Sequence, residues 1–411
     1  MSPERSNKSE IYADLSASRT SYGMNILIVG YPYIRENYLN TFNFYPEKDK
    51  VFFLLPDVWK VKGGKVVYHA PKRDNVFTAK AFFSHSHYPI IGGLLKGWIP
   101  SFLGFMMKNK KRKNIGTVIT LTEPILLSTL YQSTVSKLFG LRHFLFTWEN
   151  IAYDAKFHSL NLFLKNLIIR LNIFFSDGII CGNKKGVAIM GQYTDKPIVN
   201  IPFSGIDTDF LKPFMTEKVF RDFNFQDKLL FTFVGALEFR KGVHLIIEAL
   251  SGVLKTVPNA HLIIAGTGDI EYEKKLANLI KEHNLTASVT QISWLNHEEL
   301  RTVFAITDIF VYPSMSYKGW EEQLGYLLME ASSAGKAIIS TDSGSIDEVI
   351  INHKTGLLVE PDSVMALISA MLTLAKDSSL RESLGVAARQ YIIENFDYKI
   401  VARKFYDFLE K

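Results

Sequence analysis

Short apolar runs that alternate with helical patterns constrain the fold of this 411-residue chain more than any other feature. The first run, at 25–29, ends at Gly30, as buried strands of parallel sheets often do. Further runs of this kind follow at 51–55, 117–121, 143–147 and 178–181. Strands that alternate with helices predict right-handed βαβ units and a parallel sheet with helices on both faces.

The same alternation starts again after a polar stretch that ends near residue 228. Apolar runs predict strands at 230–234, 261–265, 289–292, 309–312 and 337–340. The patterns between and after these runs predict helices at 243–257, 272–283, 298–307, 325–334 and 364–376. The chain is also too long for one ordinary core. We therefore expect two α/β domains, with a boundary near 203–225.

The composition indicates a folded protein with anionic partners. Hydrophobic residues make up 47% of the chain and charged residues 21%, while the net charge is +6. The single cysteine, Cys181, cannot form an internal disulfide, which fits a reducing, cytoplasmic location. Residues 1–23 are polar and predict a disordered tail without a secretion signal. The apolar run at 160–175 contains Lys165 and Arg170, so we expect a buried or interfacial helix there and not a membrane span.

Glycines follow several predicted strands of the second half, at 235, 266, 268 and 344. One glycine after a strand is ordinary turn chemistry. Together, these four lie at the carboxyl edge of one sheet, where backbone amides and helix N-termini face a crevice. They predict a site for a phosphate-bearing ligand.

Two acids, Glu322 and Glu330, lie eight residues apart around the start of a predicted helix. On one helix they would be about 12 Å apart along the axis, with side chains roughly 80° apart around it. Such a pair can hold hydroxyl groups at opposite ends of an elongated ligand. The alternative is two ordinary solvated acids.

The surroundings of this pair resemble glycosyltransferase family 4, the retaining GT-B enzymes also called glycosyl transferases group 1. The family pattern P-S…E-x7-E-A-x3-G matches Pro313-Ser314 followed by E-Q-L-G-Y-L-L-M-E from Glu322 to Glu330 and by Gly335. The resemblance extends over about residues 195–400 and holds only in outline before them. Further matching segments are 201–207, 234–242 with a G-x5-K-G loop, 264–268, 308–314, 341–348 and 355–359.

The resemblance implies a GT-B fold, in which two Rossmann-like doubly wound α/β domains face each other across a cleft. Residues 24–205 would bind the acceptor, 206–390 the nucleotide sugar, and 391–411 would form a helix that crosses back to the first domain. The implied reaction is retaining and metal-independent, and it needs no cofactor. A sugar would pass from a nucleoside-diphosphate donor to a glycan or lipid-linked acceptor in cell-envelope or glycoconjugate biosynthesis.

The family's roles carry over to named positions. Glu330 would accept hydrogen bonds from the ribose hydroxyls, and Glu322 would face the transferred sugar. Arg240 and Lys241 would neutralise the leaving diphosphate, unless they are only a basic pair on the surface. The remaining donor-binding positions are Gly235, Gly266, Leu295 at the base, and the amides of Gln323, Leu324 and Gly325.

Some positions depart from the family pattern. An arginine usually follows the first glycine of the phosphate loop, where this chain has Ala236. The double-glycine loop after the first strand is replaced by residues 30–37. In place of a histidine near the donor sugar stand Glu149 and Asn150, which either contact sugar hydroxyls or form a structural turn.

Two motifs suggest metal sites but are better explained otherwise. Asp207 and Asp209 spell D-x-D, yet they lie in a phrase that the family uses at its interdomain hinge. His85 and His87 lack a nearby cysteine or carboxylate that would complete a metal site. We therefore expect no metal.

Between residues 75 and 122 the chain has seven lysines and arginines and no acid. Within this stretch, 94–113 joins apolar and aromatic residues to a basic cluster, which is typical of a segment that lies on anionic lipid. A solvated basic loop beside a buried helix is the alternative. No recognition motif for nucleic acid accompanies the charge. The sequence thus predicts a cytoplasmic protein that can bind the inner face of a membrane.

Three other functions remain to be weighed. A non-catalytic nucleotide-sugar-binding scaffold is the first alternative, and Ala236 favours it. A GT-B epimerase would share the fold but not the E-x7-E segment. A dehydrogenase is disfavoured because no G-x-G-x-x-G motif follows the first strand.

Overall fold

The computed structural model describes residues 24–60, 67–84, 91–214 and 225–410 of the chain, which form two α/β domains. The predicted tail at 1–23 and the two histidines His85 and His87 lie outside these described residues.

The first domain contains a parallel sheet, and seven of its strands lie in the described residues. Their order is β5-β2-β1-β6-β7-β8-β9, so the order reverses beside β1. β3 and β4 form a separate antiparallel hairpin. The strands are β1 Asn25–Val29, β2 Val51–Pro56, β3 Val58–Lys60, β4 Val67–His69, β5 Val76–Ala79, β6 Ile115–Thr120, β7 Arg142–Thr147, β8 Gly178–Cys181 and β9 Ile198–Asn200.

Helices cover both faces of this sheet because its strands are apolar on both sides. Leu27 and Val29 of β1 pack with Phe102 and Met106 on one face. The described α-helices of this domain are Glu36–Leu39, Ile91–Leu94, Phe102–Asn109, Leu127–Leu138, Tyr153–Lys156, Ser159–Phe174 and Lys184–Gly191. Short 3-10 helices span Pro32–Ile34, Asn40–Phe44 and Lys48–Lys50.

The second domain repeats the architecture with six parallel strands among the described residues. Their order is β12-β11-β10-β13-β14-β15, so the order reverses beside β10. The strands are β10 Leu229–Val234, β11 Ala260–Ala265, β12 Val289–Ile292, β13 Ile309–Tyr312, β14 Ala337–Thr341 and β15 Leu357–Val359. The α-helices are Val243–Val253, Ile270–Glu282, His297–Ile306, Tyr326–Ser333, Val364–Lys376 and Ser378–Phe396, with 3-10 helices at Phe239–Lys241 and Ile346–Glu348.

The helix predicted at 325–334 is observed at Tyr326–Ser333, and the place where it begins matters for the site. The helix Tyr326–Ser333 begins after Gly325, whose φ of +81° places it in the left-handed region. A glycine adopts this conformation without steric cost, and it redirects the chain into the helix. Glu322 therefore lies just before the helix, at its entrance as expected, and the axial distance and angle worked out for two positions on one helix do not apply to Glu322 and Glu330.

The last helix, Tyr398–Leu409, packs on the first domain. Val401, Phe405 and Leu409 join the apolar cluster that contains Ile28 of β1. The chain thus passes between the domains twice. At this junction the hydroxyl of Thr208 donates to the carboxylate of Asp397 over 2.5 Å, which ties the two passages together.

Candidate active site

A cavity of about 780 Å³ lies between the two domains, at the carboxyl ends of β1 and β10. The first domain contributes the loop after β1 and residues from the β3–β4 hairpin. The second domain contributes the residues after β10 and β11, the segment 294–297, and the start of the helix Tyr326–Ser333. A second cavity of about 300 Å³ adjoins it, with Glu322 and Arg35 in both walls. Both sheets therefore present the edge where their strand order reverses, where α/β folds bind ligands.

Glu322 lies between the two cavities and is held by one of its two carboxylate oxygens. Oε2 accepts hydrogen bonds from Lys241 over 2.5 Å, from the Tyr312 hydroxyl over 3.0 Å and from the Ser314 hydroxyl over 3.2 Å. Oε1 accepts no hydrogen bond from any residue that the structure describes. The carboxylate is therefore fixed on one side, and Oε1 is available to a ligand in the cleft.

The protonation of this buried pair follows from its partners. Burial alone would raise the pKa of Glu322, but the ammonium group of Lys241 and the hydrogen bonds outweigh burial and hold that pKa below its usual value. Burial also lowers the pKa of Lys241, and the carboxylate of Glu322 offsets part of this effect. Glu322 is ionised at neutral pH, because its hydrogen-bonded partner Lys241 stabilises the charge in a site of low dielectric.

Arg240 lies beside this pair, and Arg240 and Lys241 contact the same Trp320 ring. Its Nε donates to Glu238 over 2.6 Å, and its guanidinium lies 3.6 Å from the centre of the Trp320 ring. Its Nη1 is buried and has no hydrogen-bond partner among the described residues. Neither Arg240 nor Lys241 lines the two cavities.

Glu330 lies on the second turn of the helix Tyr326–Ser333 and lines the larger cavity. Its partly buried carboxylate accepts no hydrogen bond within the described parts of the chain. Burial raises the pKa of Glu330 to about 7, although the positive charge of Arg35 opposes the shift. A carboxylate without such partners at a cavity wall is suited to accept hydrogen bonds from ligand hydroxyls. Near neutral pH, the protonated fraction of Glu330 must first lose its proton to do so.

Glycines bring backbone close to backbone around the cavity. Gly266 follows β11 with a φ of +143°, and a Cβ atom there would lie 1.9 Å from the carbonyl oxygen of Gly235. Gly344 has a φ of +61°, and its Cβ would lie 2.0 Å from the carbonyl oxygen of Glu322. No side chain fits at either position, which explains why both residues are glycine.

The other predicted donor-binding residues lie around the same space. Gly235, Gly266 and Leu295 line the larger cavity, and Gln323, Leu324 and Gly325 line the smaller one. No side chain caps the N-terminus of the helix after Gly325. The helix therefore begins in the wall of the smaller cavity, which Glu322, Gly325 and Tyr326 line. Its third residue, Leu328, donates its backbone N–H to the carbonyl oxygen of Gly325 over 3.0 Å.

Glu149 and Asn150 bind protein groups and line neither cavity. Glu149 pairs with Lys156 and accepts from two backbone amides. The amide of Asn150 donates to the carbonyl oxygen of Glu322 over 2.9 Å, across the domain interface. Their contact with a sugar stays a prediction, while the contacts seen here hold the two domains and the Glu322 backbone in place.

The sequence did not indicate Glu123, which is a third acid beneath the cleft. It accepts hydrogen bonds from the Thr147 hydroxyl over 2.6 Å and from the Trp148 amide over 3.0 Å. Burial, with a further contribution from Glu149, raises the pKa of Glu123 to about 7. Its place after β6, beside the β7 end, was readable from the sequence, but its burial was not.

Sequence reasoning also missed the aromatic wall of the first domain. Tyr31 and Trp59 stack with their ring centres 4.1 Å apart, and both line the smaller cavity. Arg35, in the loop after β1, lies over the ring of Tyr68 at 4.5 Å. The loop at 30–37 was singled out as a departure from the family pattern. Only the fold shows that its side chains enter the cleft.

No three His, Cys, Asp or Glu side chains of the described ranges group as metal ligands. Asp207 caps a turn by accepting from the backbone amide of Phe210, and Asp209 pairs with Lys399 at 3.5 Å. Among the helices that the structure describes, none combines the length and apolar character needed to span a bilayer.

Comparison with known proteins finds a family model that matches most of the second domain. Residues 215–391 match the family model described as "Glycosyl transferases group 1". A glycogen synthase of Mycobacterium tuberculosis is 31% identical over 170 residues, which are 41% of this chain and 39% of that protein. A GDP-mannose-dependent alpha-(1-6)-phosphatidylinositol monomannoside mannosyltransferase of the same species is 28% identical over 209 residues, 50% of this chain and 54% of that one. The chain thus spans about half the length of these curated relatives, or less.

Solved structures match over nearly the whole chain. Anabaena HepE in complex with UDP superposes with a TM-score of 0.72 at 16% identity, covering 94% of this chain and 99% of HepE. A sucrose-phosphate synthase of Thermosynechococcus elongatus gives 0.72 at 16% identity, covering 94% and 98%. These likenesses confirm the predicted GT-B fold, with two Rossmann-like domains that face each other across the cleft.

Proposed function

We propose that the chain is a glycosyltransferase of the group 1 type that transfers a sugar from a nucleoside-diphosphate sugar to an acceptor bound by its first domain. One observation carries the proposal: Glu322 and Glu330 line a single interdomain cavity together with Gly235 and Gly266. Both acids lie in the segment that matches the family. Each acid has carboxylate oxygen left free for hydroxyl groups, which an elongated polyhydroxylated donor supplies.

The donor would lie along the second domain. The ribose hydroxyls would bind Glu330, and the base would lie near Leu295 at the far end of the larger cavity. The transferred sugar would donate to Oε1 of Glu322, next to the uncapped helix N-terminus after Gly325. Among proteins of the same fold, HepE has been solved with UDP and with UDP-glucose, which supports a nucleotide-sugar donor.

The reaction would break the bond between the anomeric carbon and the diphosphate oxygen and form a bond from that carbon to an acceptor hydroxyl oxygen. We propose that the acceptor attacks the same face, so that configuration is retained. The hydroxyl proton would pass to the departing phosphate oxygen. Negative charge grows on the diphosphate as the bond breaks, and amide dipoles and fixed cations stabilise it. That stabilisation is what would make the reaction metal-independent.

Lys241 would act on this reaction through Glu322. Because it donates to Oε2 and is buried, it fixes the carboxylate that faces the sugar. Arg240 retains one unpartnered donor, Nη1. A phosphate oxygen could reach it if the neighbouring Trp320 ring moves aside, which would give Arg240 the predicted role at the leaving group.

Donor binding can be tested by thermal shift, since a ligand that binds only the folded chain raises its melting temperature. The wild-type chain is screened against nucleotide sugars and nucleoside diphosphates of all common bases. We expect one base to stabilise the protein, and Glu322→Gln and Glu330→Gln to reduce the shift. Glu321→Gln is the matched control, because Glu321 lines neither cavity. A screen in which no nucleotide shifts the wild-type protein contradicts the proposal.

The sequence predicts that the first domain binds an anionic membrane through residues 94–113. In the structure, part of this segment is buried. In the predicted segment 94–113, Ile99, Phe102 and Met106 are buried in the core. Only part of this segment is therefore free to contact lipid, chiefly Met107 and the basic residues after it.

The helix Ser159–Phe174, on the same face of the first domain, carries the larger apolar surface. Leu160, Phe163 and Phe174 are 69%, 64% and 72% exposed, and Leu164, Leu167 and Leu171 complete one stripe along the helix. A stripe of this kind beside basic residues is typical of helices that lie in a membrane interface. We propose that it holds the first domain on the inner face of the membrane, near a lipid-linked acceptor.

Flotation with vesicles of phosphatidylcholine and phosphatidylserine tests the surface. Phe163→Glu together with Leu167→Glu should abolish co-flotation. The control Met365→Glu changes a residue that is 74% exposed on the second domain, and it should leave flotation unchanged. If the wild-type chain does not float, or if the double variant floats as well as the wild type, the stripe is not a lipid surface.

One observation favours a second candidate function, a scaffold that binds nucleotide sugar without turnover. Ala236 provides no cation after β10, and neither Arg240 nor Lys241 lines the cavities. A scaffold would bind the donor, and Glu322→Gln would affect binding only. A turnover assay separates the two functions, because only the enzyme releases nucleoside diphosphate.

A further inference from the structure

The charges on the cleft walls are distributed unequally. Four acids line the larger cavity, namely Glu36, Asp207, Glu322 and Glu330. Among the described residues that line either cavity, Arg35 is the only lysine or arginine. A nucleoside diphosphate that enters this space meets carboxylates on several sides and one guanidinium.

The cations of the second domain are engaged elsewhere. Lys241 is bound to Glu322, and Arg240 is paired with Glu238 and stacked on Trp320. At the carboxyl end of β10, where a cation could reach a bound phosphate, the chain has the exposed side chain of Ala236. Among its described residues, the second domain therefore offers the diphosphate backbone amides but no lysine or arginine in the cavity wall.

Arg35 lies where it could bind a diphosphate. It lies between the 3-10 helix Pro32–Ile34 and the helix Glu36–Leu39, in the loop that follows β1 at the point where the strand order reverses. Its guanidinium rests over the ring of Tyr68 and also interacts with the hydroxyl of Tyr38, and these two contacts orient it toward the cleft wall. It forms no ion pair within the described ranges, and its charge reaches Glu330 across the cleft.

We propose that Arg35 binds the diphosphate in this site and that the first domain thus supplies a cation that no described residue of the second domain places in the cavity wall. The inference rests on the proposed donor binding. A guanidinium can donate to two phosphate oxygens at once through its planar fork, which an ammonium group cannot do. The phosphates would lie between Arg35 on one wall and the uncapped helix N-terminus after Gly325 on the other. The donor is then held by both domains, and its binding favours the closed cleft.

The test compares ligands that share a base but differ in phosphates. The base is the one that stabilises the wild-type chain among UDP, GDP, ADP, CDP and dTDP. Isothermal titration then gives the Kd of the nucleoside, its monophosphate and its diphosphate for wild type, Arg35→Lys and Arg35→Gln. Arg403→Gln is the control for loss of one positive charge, since Arg403 is exposed on the last helix. Melting temperatures of the unliganded variants report that each is folded.

Arg35→Gln should weaken diphosphate binding by about 10- to 100-fold, because charged hydrogen bonds are lost. At a pH well above 8, where Glu330 is ionised in every variant, nucleoside binding should stay at the wild-type value. Arg35→Lys should bind the diphosphate with intermediate affinity, and Arg403→Gln should bind every ligand normally. Equal diphosphate affinity in wild type and Arg35→Gln overturns the assignment of Arg35, and so does an equal loss of affinity for nucleoside and diphosphate. Neither result affects the proposed function. A wild-type chain that binds none of the five diphosphates removes the proposed function, and this inference with it.

Discussion

If Glu330 binds the ribose as proposed, ligand binding depends on pH in a predictable direction. Its pKa is raised to about 7, chiefly by burial, so the carboxyl group is about half protonated at neutral pH. Two ribose hydroxyls are bound best by the ionised form, which offers two acceptor oxygens and no competing donor. The ligand therefore binds the ionised fraction, and the apparent affinity falls as that fraction falls.

The magnitude follows from the pKa. With a value of about 7, roughly a tenth of the molecules are ionised at pH 6 and roughly nine-tenths at pH 8. An apparent Kd equals the intrinsic Kd divided by the competent fraction, so binding should tighten about tenfold between these two pH values. Above pH 8 the gain should level off.

A nucleoside is the appropriate ligand for this assay because it has no phosphate that titrates in the same range. Isothermal titration between pH 6 and 8 gives the curve for wild type and for Glu330→Gln, which should be flat. The opposing charge of Arg35 lowers the pKa of Glu330, so Arg35→Gln should move the midpoint to higher pH. A wild-type curve without slope, or the same slope in Glu330→Gln, refutes the role of this carboxylate.

Three further predictions follow from contacts in the second domain. Lys241→Met leaves Glu322 buried without its counter-ion, which should lower the free energy of unfolding by about 3–5 kcal/mol. Urea denaturation measures this loss, and the double variant with Glu322→Gln should recover part of it. Ala236→Arg places a guanidinium in the cavity wall, so diphosphate binding should tighten and depend more steeply on salt, measured by titration at two ionic strengths; unchanged binding contradicts this. Gly266→Ala should destabilise by roughly 2–4 kcal/mol because of its positive φ and the backbone contact, whereas Gly104→Ala, with open space around it, should be neutral or stabilising by thermal unfolding.

The sequence was a good guide to the second domain because its pattern is local. Apolar runs ending in glycine marked β10 and β11 correctly, since buried parallel strands must be apolar on both faces. The glycines also marked the cavity wall, because close approaches such as Gly266 to Gly235 exclude a side chain. These constraints act over a few residues and can therefore be predicted from the sequence.

The contacts that hold the site together are not local, and the sequence did not reveal them. Lys241 meets Glu322 from 81 residues away, and Asn150 meets it from 172 residues away. The spacing of Glu322 and Glu330 suggested one helix, but the left-handed Gly325 ends that possibility. Arg35 drew no notice as a cation because its importance depends on which other charges reach the cleft.

The membrane prediction shows the same limit in composition. The segment 94–113 is apolar and basic, yet its apolar residues Ile99, Phe102 and Met106 pack inward. The helix Ser159–Phe174 was predicted as buried or interfacial, and its exposed stripe favours the interfacial alternative. Composition identifies apolar segments, while the tertiary fold decides which of their faces meet solvent.

Turnover of a nucleotide sugar is the measurement that tests the central claim most directly. The chain is incubated with each common nucleotide sugar, with and without membrane lipid extract as the acceptor source, and released nucleoside diphosphate is quantified. We expect one donor to be cleaved, and Glu322→Gln to lower the rate by about 100-fold or more at saturating donor, since a group that acts on the reacting sugar affects kcat. If no donor is cleaved, or if Glu322→Gln turns over at the wild-type rate, the cleft is not the active site of a glycosyltransferase.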